Sequence, residues 1–134
     1  MLNTIQIPIR DYINKVAVTT IDLNQAAGTY DLFTGTIQNV VVEKLIIQMP
    51  DAAAAGLTSI SIQTNETTPQ VFINSQQGAL GNLTALAQIA KEAPIVITTG
   101  KKIQLTITGT TTGGAYVCTI TVLYKAVVAG GTLT

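Results

Sequence analysis

Apolar residues recur with period two along most of this chain, and the runs that carry them are rich in Val, Ile and Thr, whose branched side chains suit a pleated surface. The pattern predicts strands. Lys15–Asp22 sets Val16 and Val18 on one face and Ala17 and Thr19 on the other, and the turn residues 24–28 end it. Residues 29–33 make a short second strand. The run 40–47 is apolar on both faces apart from the Glu43-Lys44 pair and is closed by Pro50-Asp51, as expected of a central strand. Leu57–Thr64 alternates cleanly, with Ile60 and Ile62 inward and Ser59, Ser61 and Gln63 outward. Residues 69–73 follow as a short edge strand.

Residues 95–97 and 102–108 flank Thr99-Gly100-Lys101, and Ile103, Leu105 and Ile107 line one face of the second run, which predicts a hairpin. The Gly-rich stretch 109–114 reads as another hairpin turn. The last long strand, 115–127, alternates Tyr116, Cys118, Ile120 and Val122 against Thr119 and Thr121, as a core strand would. Residues 82–91 fit a short helix capped by Asn82 or Thr84, the preferred reading, although Leu83, Ala85, Ala87 and Ile89 also alternate as in a strand.

About eight strands spaced by turn signals, with at most one short helix and no βαβ rhythm, predict an all-β antiparallel β-sandwich, jelly-roll-like in its connections. The sandwich proper spans residues 15–127. Before it, residues 1–14 form an N-terminal arm or an edge strand: Ile5, Ile7 and Ile9 alternate with Gln6 and Pro8, ahead of Arg10, Asp11 and Tyr12. An extended segment of that pattern satisfies its backbone and buries alternate side chains by lying along an exposed sheet edge. Ile5, Ile7, Ile9, Arg10 and Tyr12 are therefore the candidate partner-binding residues. As the first strand of the domain's own sheet, the same segment would be confined to an edge by Pro8. After the sandwich, the Gly-rich residues 128–134 read as a flexible C-terminal tail.

Composition narrows the function. At 134 residues the chain suits one domain with one core, and with 47% apolar and 10% charged residues it is far from a disordered composition. Its seven basic residues equal its seven acidic ones and are scattered, so no basic stripe neutralises a nucleic-acid backbone. Low charge with a positive mean hydropathy leaves more apolar surface than a small monomer comfortably exposes, which predicts a homo-oligomer, a trimer above all. The start lacks a signal-peptide pattern, and no window approaches the roughly 20 apolar residues of a membrane helix. The expectation is a protein made in the cytoplasm, with no membrane partner.

Candidate chemistry is sparse. Histidine is absent, which removes the commonest general base and metal ligand together with every Ser-His or Cys-His arrangement. The acids Asp11, Asp22, Asp31, Glu43, Asp51, Glu66 and Glu92 sit apart, mostly beside turns, and read as solvated residues rather than a catalytic pair. One Cys and no His cannot build a zinc site, and no acidic loop has calcium-site spacing. Asp22, Asn24 and Asp31 fit an Asx turn better than a cation site. Residues 109–114 lack the glycine-lysine-hydroxyl ending of a phosphate loop. Cys118, in an apolar run, reads as a small buried hydrophobe. Asn65-Glu66-Thr67 and Asn82-Leu83-Thr84 match the glycosylation pattern, which has meaning only in a secreted eukaryotic chain. Six aromatic residues, with no Trp, are too scattered for a platform that stacks bases or sugars. No enzyme activity and no cofactor is expected.

The stretches Ala27-Gly28-Thr29-Tyr30-Asp31-Leu32-Phe33-Thr34-Gly35, Val40-Val41-Val42-Glu43-Lys44-Leu45-Ile46-Ile47 and Gly100-Lys101-Lys102-Ile103-Gln104-Leu105-Thr106-Ile107 resemble the small head-decoration proteins of tailed bacteriophages. So does the closing run from Ala115 to Tyr124. The likeness covers residues 16–127 and lies in strand rhythm and composition rather than in a diagnostic motif. It implies a jelly roll or similar sandwich on the outer surface of a virion, commonly a trimer, that binds the major capsid protein and cements neighbouring capsomers. It carries no catalytic residues. The alternatives are a phage tail or fibre sandwich, and a carbohydrate-binding module, which would need exposed aromatics or acidic turns around a sugar.

Overall fold

The computed structural model describes residues 14–110 and 113–134. Among the described residues nine strands follow one another: β1 (Lys15–Asp22), β2 (Gly28–Thr36), β3 (Val40–Gln48), β4 (Leu57–Thr64), β5 (Val71–Ile73), β6 (Gln88–Ile97), β7 (Lys102–Gly109), β8 (Val117–Ala126) and β9 (Thr132–Leu133). They form a four-stranded sheet in the order β1-β8-β3-β6 and a five-stranded sheet in the order β5-β4-β7-β2-β9. Pairing is nested, because β1 meets β8, β2 meets β7, β3 meets β6 and β4 meets β5, all antiparallel. An eight-strand ribbon folded back on itself in this way is a jelly roll, the expected all-β sandwich.

Alternation explains the core. Val42, Leu45 and Ile47 of β3 and Cys118, Ile120 and Val122 of β8 face inward from one sheet, and Ile60 and Ile62 of β4 with Ile103, Leu105 and Ile107 of β7 face them from the other. All are essentially inaccessible to solvent. Five ladders slip by one residue, β2–β7 at Leu32, β4–β7 at Thr58, β4–β5 at Phe72, β3–β8 at Glu43 and β3–β6 between Glu92 and Ile95, and such bulges add local twist. The β1–β8 ladder runs unbroken from Lys15↔Tyr124 to Asp22↔Val117.

Several expectations change. The strands on either side of Gly100 do not pair: β6 lies in the four-stranded sheet and β7 in the five-stranded one, so the turn carries the chain from one sheet to the other. Gly100 has φ 85, and the turn is fastened to β2 by Gly100 N to Gly35 O and Gly35 N to Lys101 O, each 2.8 Å. Periodicity marks both strands and the turn but cannot name partners, because Ile95 and Ile97 enter the same core from the opposite side to Ile103 and Leu105. β7 and β8 likewise belong to different sheets, so residues 109–114 do not join a hairpin.

The helix preferred for residues 82–91 is absent. A single 3-10 turn, Leu80–Asn82, precedes a chain reversal in which Leu86 takes φ 58, and β6 then begins at Gln88 opposite Gln48. Pairing along the length of β3 outweighs a weak helical preference. Residues 128–134, expected as a flexible tail, close the second sheet. Gly35 pairs with Leu133 and Thr36 with Thr132, Thr34 N donates to Thr134 O at 2.7 Å, and Leu133 is buried. The open edge of β2 supplies the backbone partners that the composition does not reveal. Among the described residues no helix is long and apolar enough to cross a membrane.

Candidate interaction surface

The two sheets turn unlike faces outward. On the five-stranded sheet, cross-strand register aligns Thr29, Thr106 and Ser61 in one row and Asp31, Gln104 and Gln63 in the next. Hydrogen bonds link these side chains: the hydroxyls of Thr29 and Thr106 are 2.9 Å apart, and Gln104 Nε2 donates to Asp31 Oδ1 at 2.7 Å. Lys102 pairs with the other Asp31 oxygen, and the bonds from Lys102 and Gln104 hold the Asp31 carboxyl below its ordinary range. This face is a self-contained polar surface.

On the four-stranded sheet, the rows are Val18, Thr121, Ile46 and Ala90, then Val16, Leu123, Lys44 and Glu92, then Lys125, Val41 and Val96. Val16 and Val18 are each 58% exposed and Val96 47%, while Ile46, Val41 and Leu123 are half-buried. Its charges cancel, since Lys44 pairs with Glu92 at 2.8 Å and Lys125 with Glu43 at 3.2 Å. The bond from Lys44 draws the Glu92 carboxyl below its usual range. The result is an aliphatic, electrically neutral sheet face, of the kind that marks an association surface. In the sequence, the run 40–47 signalled it by being apolar on both faces, but a central strand buried on both sides has the same pattern.

The candidate residues Ile5, Ile7, Ile9, Arg10 and Tyr12 lie outside the described residues. The described chain starts at the exposed Asn14, directly before β1, the outermost described strand on one side of this sheet.

Residues with chemical potential are dispersed. Asp22 Oδ1 accepts from Asn24 N and Tyr116 N, both at 2.8 Å, so it fastens a turn to the start of β8, while Asp31 sits on the other sheet. Among the described residues no group of three acids or thiols could hold a metal. Cys118 is fully buried with its sulfur 3.5 Å from that of Met49, and desolvation, with a smaller contribution from Asp22, pushes its thiol up to about 12. Phe33, Phe72, Tyr116 and Tyr124 are buried. Tyr116 donates its hydroxyl hydrogen to Ala52 O at 2.9 Å, and burial raises its pKa. Beside it lies a hollow of about 190 Å³, lined by Leu23, Leu57, Ala52 to Ala55 and Gly113-Gly114. It is small, and its few polar groups are tied into the turns that form it.

No protein-family model matches the chain, and no curated protein is a significant match. Solved structures do match. A chain in the acidic stable capsid structure of Helicobacter pylori bacteriophage KHP30 aligns with a TM-score of 0.56 at 15% identity, covering 91% of this chain and 93% of that one. A chain in the cyanophage Pam1 capsid asymmetric unit aligns with a TM-score of 0.57 at 11% identity, covering 84% of each. At such identities the likeness is one of fold, and it embraces nearly the whole of both molecules.

Proposed function

We propose that this chain is a structural virion protein of a tailed bacteriophage that binds the outer surface of the capsid and stabilises contacts between capsomers, without catalysis. The observation that carries this reading is the fold likeness, end to end, to chains of similar size in two phage capsid structures. The neutral aliphatic face supports it, because a small domain gains nothing by exposing such a surface in water and gains about 25 cal/mol per Å² on covering it. A stable interface needs about 800 Å² from each partner, so a rigid sandwich laid across a capsomer boundary, alone or as a trimer, resists separation of the units beneath it. The major capsid protein is then the partner, and the virion exterior the location.

The test uses capsids of the encoding phage prepared with the gene deleted. Purified protein added back co-sediments with them at a fixed stoichiometry and raises the temperature at which they break open. Failure to co-sediment, or binding confined to tails, refutes the reading.

A further inference from the structure

The outer face of the four-stranded sheet is graded along its strands. At one end its register row is Thr119, Gln48 and Gln88, all polar. At the other end the row is Lys125, Val41 and Val96, with Lys125 paired to Glu43. The apolar surface continues past that row. Beyond Lys125, where β8 has ended, come Val127, 52% exposed, and Val128, 45% exposed. Their N–H groups both donate to Asn39 O, at 3.0 and 3.5 Å, which sets them beside the turn that carries the chain from β2 to β3. In that turn stands Ile37, the most exposed large hydrophobic residue among those described, at 69%. A methyl group on Gly130 would lie 3.3 Å from Ile37 Cγ2, so Ile37 borders the turn that follows Val128.

The backbone at Ile37 is strained. Gln38 N donates to Thr36 O at 2.8 Å across a central residue with φ 67, the rarer and costlier form of the γ-turn. A β-branched side chain suits that region least, and at comparable φ the chain uses glycine, as at Gly100 and Gly130. An isoleucine held under strain and mostly in water does little for the fold, and such outliers cluster where a surface is shaped in advance for a partner. Leu86, the other non-glycine residue with positive φ among those described, gives the contrast. It is tied to Pro50 O at the opposite end of the sheet, where the exposed residues around it in the chain are Thr84, Ala85 and Gln88. A single surface aliphatic residue in polar company needs no partner.

We infer that the docking surface turns the corner of the sandwich, and that Ile37, flanked by Val127 and Val128, is the apolar anchor that enters an uncharged depression of the major capsid protein. This rests on the capsid reading and specifies which end of the sandwich engages the shell. Continuity with the aliphatic sheet face through Val41, Val96 and Val127 favours this occupant. Gln38 and Lys101, exposed on the two turns joined by the bond from Thr99 N to Asn39 Oδ1, give the apolar corner a polar rim, the usual anatomy of a docking surface. A preformed anchor at the centre of such a surface carries a large share of the binding energy.

The experiment uses the full chain and capsids prepared with the gene deleted. Asparagine tolerates the left-handed region, so Ile37→Asn melts at or above the midpoint of the parent chain. Its capsid affinity in a co-sedimentation titration falls at least ~10-fold. Val127→Ser combined with Val128→Ser weakens binding in the same direction without touching the γ-turn. Leu86→Asn, the same relief of strain at the polar end, leaves capsid affinity unchanged. Undiminished binding by Ile37→Asn overturns the anchor while leaving the capsid reading intact. Equal weakening by Leu86→Asn overturns it too, as does a lowered midpoint in Ile37→Asn together with parental binding by the valine pair. A parent chain that fails to bind refutes the capsid reading, and the anchor with it.

Discussion

The outer face of the four-stranded sheet carries valine, leucine and isoleucine where the outer face of the five-stranded sheet carries threonine, serine and glutamine, although both sheets bury the same kinds of aliphatic residue inside. An antiparallel sheet packed on one side is free to be polar on the other, and threonine supplies strand preference as well as valine does. Folding alone therefore does not require the aliphatic face. The five-stranded sheet is extended along the β4 edge by its own chain: Ile60 N donates to Gly78 O at 2.8 Å, and Ala79 bridges Ser59, which is buried. The contrast is between a face whose polar side chains bond to one another and a face whose aliphatic side chains stay exposed among the described residues.

The largest expected effect comes from charging the aliphatic face. Ile46→Asp combined with Leu123→Asp lowers capsid affinity at least ~100-fold, about 2.7 kcal/mol, in a co-sedimentation titration. Both side chains point away from the core, so the fold persists. The matched pair Ser61→Asp and Thr106→Asp on the polar face leaves the titration unchanged, and equal weakening by the two pairs would erase the distinction.

Next in size is an attack on the loop that lies along the β4 edge. A methyl group on Gly78 would meet Ile60 O at 2.0 Å, so Gly78→Ala forces the loop off β4 and costs about 2–4 kcal/mol in denaturant unfolding. Capsid affinity of the remaining folded protein stays the same, because that loop belongs to the other sheet.

A smaller effect lies beneath the aliphatic face. The Cys118 thiol, ordinarily near 9.0 and pushed up to about 12, holds its proton in the folded state more tightly than in the unfolded one. Its contribution to stability is complete below pH 9 and is lost as pH rises toward 12. Thermal melts across that window fall less steeply for Cys118→Val than for the parent chain. A thiol reagent at pH 8 labels unfolded protein and spares native protein.

The smallest effect is on the polar face itself. The Asp31 carboxyl is held low by Lys102 and Gln104, so its contribution is present above the unfolded pKa and lost as pH falls through the folded one. Exposure to solvent screens it, and Asp31→Asn changes the acid limb of the melting profile only marginally.

Much of this architecture was legible in the chain. Period-two runs located β1, β3, β4, β7 and β8, and the central positions of β3 and β8 followed from their apolar character. Partners were not legible, because a jelly roll sends sequence-adjacent strands to opposite sheets while each keeps the same inward alternation. Residues 82–91 were ambiguous because Ala and Leu serve both periods, and the start of β6 is fixed by β3 rather than by its own composition. β9 was hidden for a similar reason, since two residues beside glycines acquire order only from the edge of β2. Of the surface, Val16 and Val18 were already visible on one face of β1. Their continuation through Thr121, Ile46 and Leu123 needed the register.

The central claim is that the four-stranded face seats this protein on the outside of a phage capsid. An electron cryomicroscopy reconstruction of gene-deleted capsids resaturated with the protein tests it directly. The account predicts jelly-roll density on the outer surface across capsomer boundaries, with Ile46 and Leu123 buried against the shell and the row Thr29, Thr106 and Ser61 facing solvent. Density with the polar face against the shell, or a bare capsid under saturating protein, contradicts it.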